Sequence, residues 1–178
     1  MALQVSNLTP LVGSEIRTDL ATLLSGSEAK HIRNILEQRG VVFFRGLDIN
    51  DEQQVAIARN LGNLVDSERE GGIYKITLDK SVNEKADYLK GSLFWHFDGS
   101  LQPYPNLAAL LRAVKLSNTG GQTEFCNTYA AYDDLPQDEK KAIEKLRVVH
   151  SATRSQFYVS PEMSYAELQM WQDAPTAS

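Results

Sequence analysis

The sequence predicts an α+β protein, an antiparallel β core with helical decoration. Apolar runs at 41–44 and 107–114 have the length and content of buried strands, 3–17 alternates loosely, and 73–78 reads as a strand with both faces partly apolar. Amphipathic stretches bounded by capping residues lie between such runs, and turns built on glycine and asparagine separate them. With 178 residues and 42% hydrophobic content, the chain can bury a core, and one domain over 1–178 is expected.

Taken in order, 3–17 reads as short strands broken at Pro10 and Gly13. Ser27 is the expected N-cap of a first helix with an apolar stripe of Ile32, Ile35 and Leu36, stopped by Gly40. The run Val41-Val42-Phe43-Phe44 is a buried strand ended by Arg45-Gly46, and Asn50 or Asp51 opens a second helix that stops at Gly62. Strands follow at 73–78 and 107–114, on either side of a polar surface loop over 80–91. Asn118-Thr119-Gly120-Gly121 turns the chain into a strand at 122–126, helices are expected at 129–135 and 138–146, and 147–150 returns to strand. The tail from Ser160 has mild helical character.

The composition excludes several function classes. The formal net charge is −5 with acids and bases interspersed, so no basic block is present to track a phosphate backbone, and nucleic acid is not an expected partner. No apolar run reaches membrane-spanning length, and the first residues lack a leader pattern, so a soluble, cytoplasmic protein is expected. Cys126 stands alone, which excludes an internal disulfide and a zinc ribbon; a buried structural thiol is the expected role.

The chemistry is concentrated in Trp95-His96-Phe97-Asp98-Gly99. On a strand, residues two apart share a face, so the imidazole of His96 and the carboxylate of Asp98 can reach one point. That pair supplies two legs of the two-histidine, one-carboxylate facial triad that holds non-haem Fe(II) with open positions. His31 falls on a polar helix surface, and His150 follows Val148-Val149 on an expected strand.

Further motifs follow in order. Phe94-Trp95-His96-Phe97-Asp98-Gly99-Ser100, then Gly120-Gly121-Gln122-Thr123-Glu124-Phe125, then Asn127-Thr128-Tyr129 through Leu135-Pro136, together resemble the TauD/TfdA family of Fe(II)- and 2-oxoglutarate-dependent dioxygenases. Arg39-Gly40-Val41-Val42-Phe43-Phe44-Arg45-Gly46 and His150-Ser151-Ala152 are similar to further segments of that family, so the resemblance runs from about residue 8 to about residue 153.

The resemblance implies a jelly-roll-like double-stranded β-helix with N-terminal helices and a helical insert after Asn127. It implies His96 and Asp98 as iron ligands, and Thr123 as the hydroxyl that hydrogen-bonds a carboxylate of 2-oxoglutarate. The family's distal histidine ligand, and the arginine that pairs with the far carboxylate of 2-oxoglutarate, match no residue here. The third ligand is therefore expected beyond the C-terminus of this chain, and the domain is expected to lack the C-terminal part of the family fold. The implied reaction hydroxylates a small organic-acid-like metabolite, with O2 and 2-oxoglutarate consumed and succinate and CO2 released.

The competing reading is a truncated, non-catalytic family member that serves as a metabolite-binding or interaction module. A cupin-like metal isomerase or sugar-binding jelly roll would need a histidine-rich ligand set, which three widely spaced histidines do not offer. Because a jelly roll closes by pairing strands from both halves, the chain is expected either to be part of a longer enzyme or to complete its sheet as a homo-oligomer.

Overall fold

The computed structural model describes residues 3–65, 72–83, 89, 93–102 and 104–174. It divides into two compact units, the first formed by Met1–Ile73 with Leu110–Lys141 and the second by Tyr74–Ala109 with Ala142–Ser178.

The first unit opens with strands β1 (Gln4–Asn7) and β2 (Ser14–Arg17), antiparallel with Val5 opposite Ile16 and Asn7 opposite Ser14. The Pro10/Gly13 break expected from sequence is the turn between them. Helices α1 (Leu20–Ser25) and α2 (Ala29–Arg39) then carry the chain to β3 (Val42–Phe43), which pairs with β2 in parallel. A parallel pair needs such a crossover, since a tight turn cannot reverse the chain twice. The sheet order is β1-β2-β3, so β2 is central and its Ser14, Glu15 and Ile16 are buried, whereas β1 is an exposed edge. Buried Glu15 is compensated by charge: Arg17 Nε lies 2.9 Å and Arg45 Nε 3.6 Å from its two oxygens.

Helix α3 (Asp51–Leu61) starts where expected. The Asn50 side chain accepts from the Gln53 amide at 2.9 Å, and the Gln53 side chain returns a bond to the Asn50 amide at 2.9 Å, a complete capping box. Replacing Asn50 with alanine is expected to cost about 1 kcal/mol, read as a lower urea midpoint at unchanged slope. The Asn60 amide donates to the Leu23 and Leu24 carbonyls at 3.0 and 2.9 Å, satisfying the end of α1 and locking α3 to it. Ile16, Leu23, Ile32, Ile35 and Ile57 form the core, flanked by Val42, Phe44 and Leu61 among others.

The later helices are α4 (Thr128–Asp133), α5 (Gln137–Ile143), α6 (Ala152–Val159) and α7 (Tyr165–Gln172). Asn127 caps α4, accepting from Tyr129 and Ala130, and its amide donates to the Leu11 carbonyl at 2.8 Å. In the second unit α6 and α7 pack together, burying Ala152, Gln156 and Trp171.

Several expectations are corrected. Helix α2 is capped at Glu28 without a side-chain bond, not at Ser27, whose hydroxyl instead meets Ser25 Oγ at 3.0 Å. Helices α1 and α6 were not expected. The segments 73–78, 107–114, 122–126 and 147–150 form no strands beyond a single bridging residue at His150, and the 80–91 loop lies largely outside the described residues. A strand exists only within a ladder, and these runs find no ladder partner among the described residues, so their side chains stay in water: Leu111 is 63% and Val114 81% exposed. β3 is half-buried and two residues long.

Candidate metal centre

The motif residues lie in the second unit, on a loop rather than the expected strand. After His96 and Phe97 the chain turns over 98–101, closed by a bond from the Gln102 amide to the Gly99 carbonyl at 2.9 Å. The turn requires glycine at 99: its φ is +79°, and a Cβ there would lie 3.3 Å from the Asn106 backbone nitrogen. The i, i+2 spacing still brings the two side chains together, with His96 Nε2 3.5 Å from Asp98 Oδ1.

The imidazole is oriented by its other nitrogen. Nδ1 lies 2.6 Å from the Phe94 carbonyl oxygen, which can only accept, so Nδ1 donates and Nε2 is the nitrogen that faces Asp98. Nε2 and the Asp98 carboxylate thus face one point, where an imidazole with Nδ1 protonated can offer the Nε2 lone pair to an ion. A carbonyl-bound Nδ1–H is the usual outer partner of a metal-ligating histidine. An imidazole and a carboxylate, both partly solvent-accessible (46% and 65% exposed), also suit a divalent first-row ion with open coordination positions. The donor set thus fits such an ion.

No group of three or more histidine, cysteine, aspartate or glutamate side chains with metal-binding geometry occurs among the described residues. His31 lies on the surface of α2, 3.4 Å from Glu28, as its polar neighbourhood implied. His150 is half-buried, its ring edge-on to Phe97 with centroids 5.6 Å apart and planes at 82°. Thr123 belongs to the first unit and is exposed in an irregular stretch rather than on a strand. Cys126 is exposed, correcting the expectation of a buried thiol: 122–126 forms no strand, and among the described residues no sheet covers it.

Three features of the loop escaped the sequence reading: the Phe94 carbonyl as orienting acceptor, and the partners of Phe97 and Phe94. Phe94 meets Tyr158 edge-on at 5.0 Å and 86°. The available signal was the pair of phenylalanines straddling His96.

Comparison with known proteins identifies the family. The model of the taurine catabolism dioxygenase TauD, TfdA family matches residues 4–176. The chain is 34% identical to an alpha-ketoglutarate-dependent 2,4-dichlorophenoxyacetate dioxygenase of Burkholderia sp. (strain RASC), over 95% of this chain and 63% of that protein. It is 30% identical to the alpha-ketoglutarate-dependent sulfate ester dioxygenase of Pseudomonas putida, over 95% and 56% of the respective chains. It superposes on the crystal structure of AAD-2 in complex with Mn(II) and N-oxalylglycine with a TM-score of 0.70 at 28% identity, covering 96% of this chain and 61% of that one. The chain thus spans roughly three-fifths of the length of these relatives. A family match over nearly its whole length, on a fold that brings His96 and Asp98 together, makes this chain a member of the TauD/TfdA family.

Proposed function

We propose that the chain carries the metal-binding part of an Fe(II)- and 2-oxoglutarate-dependent dioxygenase that hydroxylates a small organic-acid-like substrate. The observation that carries this reading is the convergence of His96 Nε2 and the Asp98 carboxylate, with Nδ1 tied to Phe94. Overall, substrate, 2-oxoglutarate and O2 give hydroxylated substrate, succinate and CO2, and Fe(II) supplies the redox centre at which the last two reactants meet.

In this reading His96 and Asp98 are two protein ligands, and a further histidine completes the triad. A ligating histidine is neutral, so of these two ligands only Asp98 contributes negative charge, and a divalent ion held by them keeps net positive charge to attract an anionic cosubstrate. Thr123 donates its hydroxyl to a carboxylate oxygen of 2-oxoglutarate, which orients that group without adding charge. A jelly-roll double-stranded β-helix is supported by the likeness to AAD-2. A cytoplasmic location fits a lone, exposed cysteine.

Anaerobic addition of Fe(II) and 2-oxoglutarate is expected to produce the visible metal-to-ligand charge-transfer band of the chelate. Its absence would refute the reading. Thr123→Val keeps shape and removes one hydroxyl, so it should weaken 2-oxoglutarate by about 1.5–3 kcal/mol with iron affinity unchanged. Unchanged 2-oxoglutarate affinity in the band titration would remove Thr123 from the cosubstrate site.

A further inference from the structure

Resting on the metal-centre reading above, we propose that the segment from His150 through α6 is a clamp that positions the ligand loop, with His150 and Tyr158 as its positioning residues. Among the described residues, no ladder holds the loop. The hydrogen bonds His96 Nδ1 to the Phe94 carbonyl and the Gln102 amide to Gly99 are internal and tie it to itself. Among the described residues, a pair of edge-on ring contacts ties it to the rest of the second unit, Phe94 with Tyr158 and Phe97 with His150.

These anchors stand on either side of His96 in the sequence, and both lead to one segment. His150 directly precedes Ser151, whose hydroxyl accepts from the Arg154 amide at 3.1 Å and so starts α6, and Tyr158 lies in the last turn of that helix. α6 is a firm base: Ala152 and Gln156, one turn apart, are buried, and the helix packs on α7, where Trp171 is buried. Edge-on ring pairs are directional, so two of them fix the loop's orientation as well as its place. A loop ordered before the ion arrives does not spend binding free energy on ordering, so the clamp raises metal affinity without supplying a ligand.

The test compares Mn(II) binding to the 178-residue chain, followed by loss of the free-ion EPR signal, in the parent and in His150→Leu, His150→Phe and His96→Ala, with thermal melts of each. His150→Leu should bind Mn(II) about tenfold more weakly, the scale of an outer-partner loss, and broaden the bound-ion spectrum. His150→Phe keeps a ring without nitrogens and should restore affinity close to the parent. Parent-like affinity in His150→Leu, with binding lost in His96→Ala, would overturn the clamp alone. Equal weakening in His150→Leu and His150→Phe would overturn it too, since His150 would then act through its nitrogens. Parent-like affinity in His96→Ala would instead overturn the metal-centre reading on which the clamp rests. Should His150→Leu fail to fold, Tyr158→Leu against Tyr158→Phe carries the same decision at a position that is 73% exposed.

Discussion

Replacing either His96 or Asp98 with alanine is expected to abolish specific Fe(II) binding and to leave the fold as stable as its parent. Both side chains are about half or more exposed, so truncation opens no cavity. His96 loses one local bond to Phe94, and exposed changes of this kind stay within about 0.5 kcal/mol. The metal loses a direct ligand, so affinity should fall by more than the roughly 10–100-fold that follows loss of an outer partner. Asp98→Asn separates charge from shape: it keeps an oxygen in place but removes the negative charge, and should weaken Fe(II) nearly as much as alanine does. Equilibrium dialysis with metal analysis, beside thermal melts, reads both effects. Stoichiometric Fe(II) in either alanine variant would remove that residue from the ligand set.

The pattern of what the sequence discloses follows the range of the forces involved. The helix start at Asn50 or Asp51, the stops at Gly40 and Gly62 and the Pro10/Gly13 break are each decided within a few residues, and each reappears in the structure, the first as a capping box between Asn50 and Gln53. Helix α1 was missed although Leu20, Leu23 and Leu24 have helical spacing, because six residues are too few for periodicity to stand out. Its start is marked by Asp19, which accepts from the Thr22 amide at 2.7 Å; these bonds to Thr22 hold its carboxyl below the ordinary range. At α6, the apolar Val148-Val149 run outweighed the Ser151 cap that follows it.

Strand pairing is the opposite case. Composition states only that 107–114 would suit a pleated, half-buried surface; whether a neighbour pairs with it is decided elsewhere in the chain. The same division holds at the metal centre. His96 and Asp98 were legible because two-residue spacing is local, and it brings them together on a loop as it would on a strand. The rings of His150 and Tyr158, distant in sequence from their phenylalanine partners, were not legible as loop contacts.

The largest stability effect is expected at Ile16. It is 1% exposed, sits on the central strand opposite Val5, and belongs to the cluster with Leu23, Ile32, Ile35 and Ile57. Ile16→Ala removes buried methyl and methylene groups and leaves a cavity that sheet and helices on fixed hydrogen bonds cannot fully close, at a cost of about 2–5 kcal/mol; Ile16→Val should cost only about 0.5–1.5 kcal/mol. Leu111→Ala is the informative contrast. The sequence pattern expects Leu111 in a buried strand, which would make this change as damaging as the one at Ile16, whereas a leucine 63% exposed should lose no more than about 0.5 kcal/mol. Urea unfolding of the three variants decides between these values. A large loss in Leu111→Ala would mean that 107–114 is packed in a sheet after all, and a small one that the first unit is held by the Ile16 cluster without it.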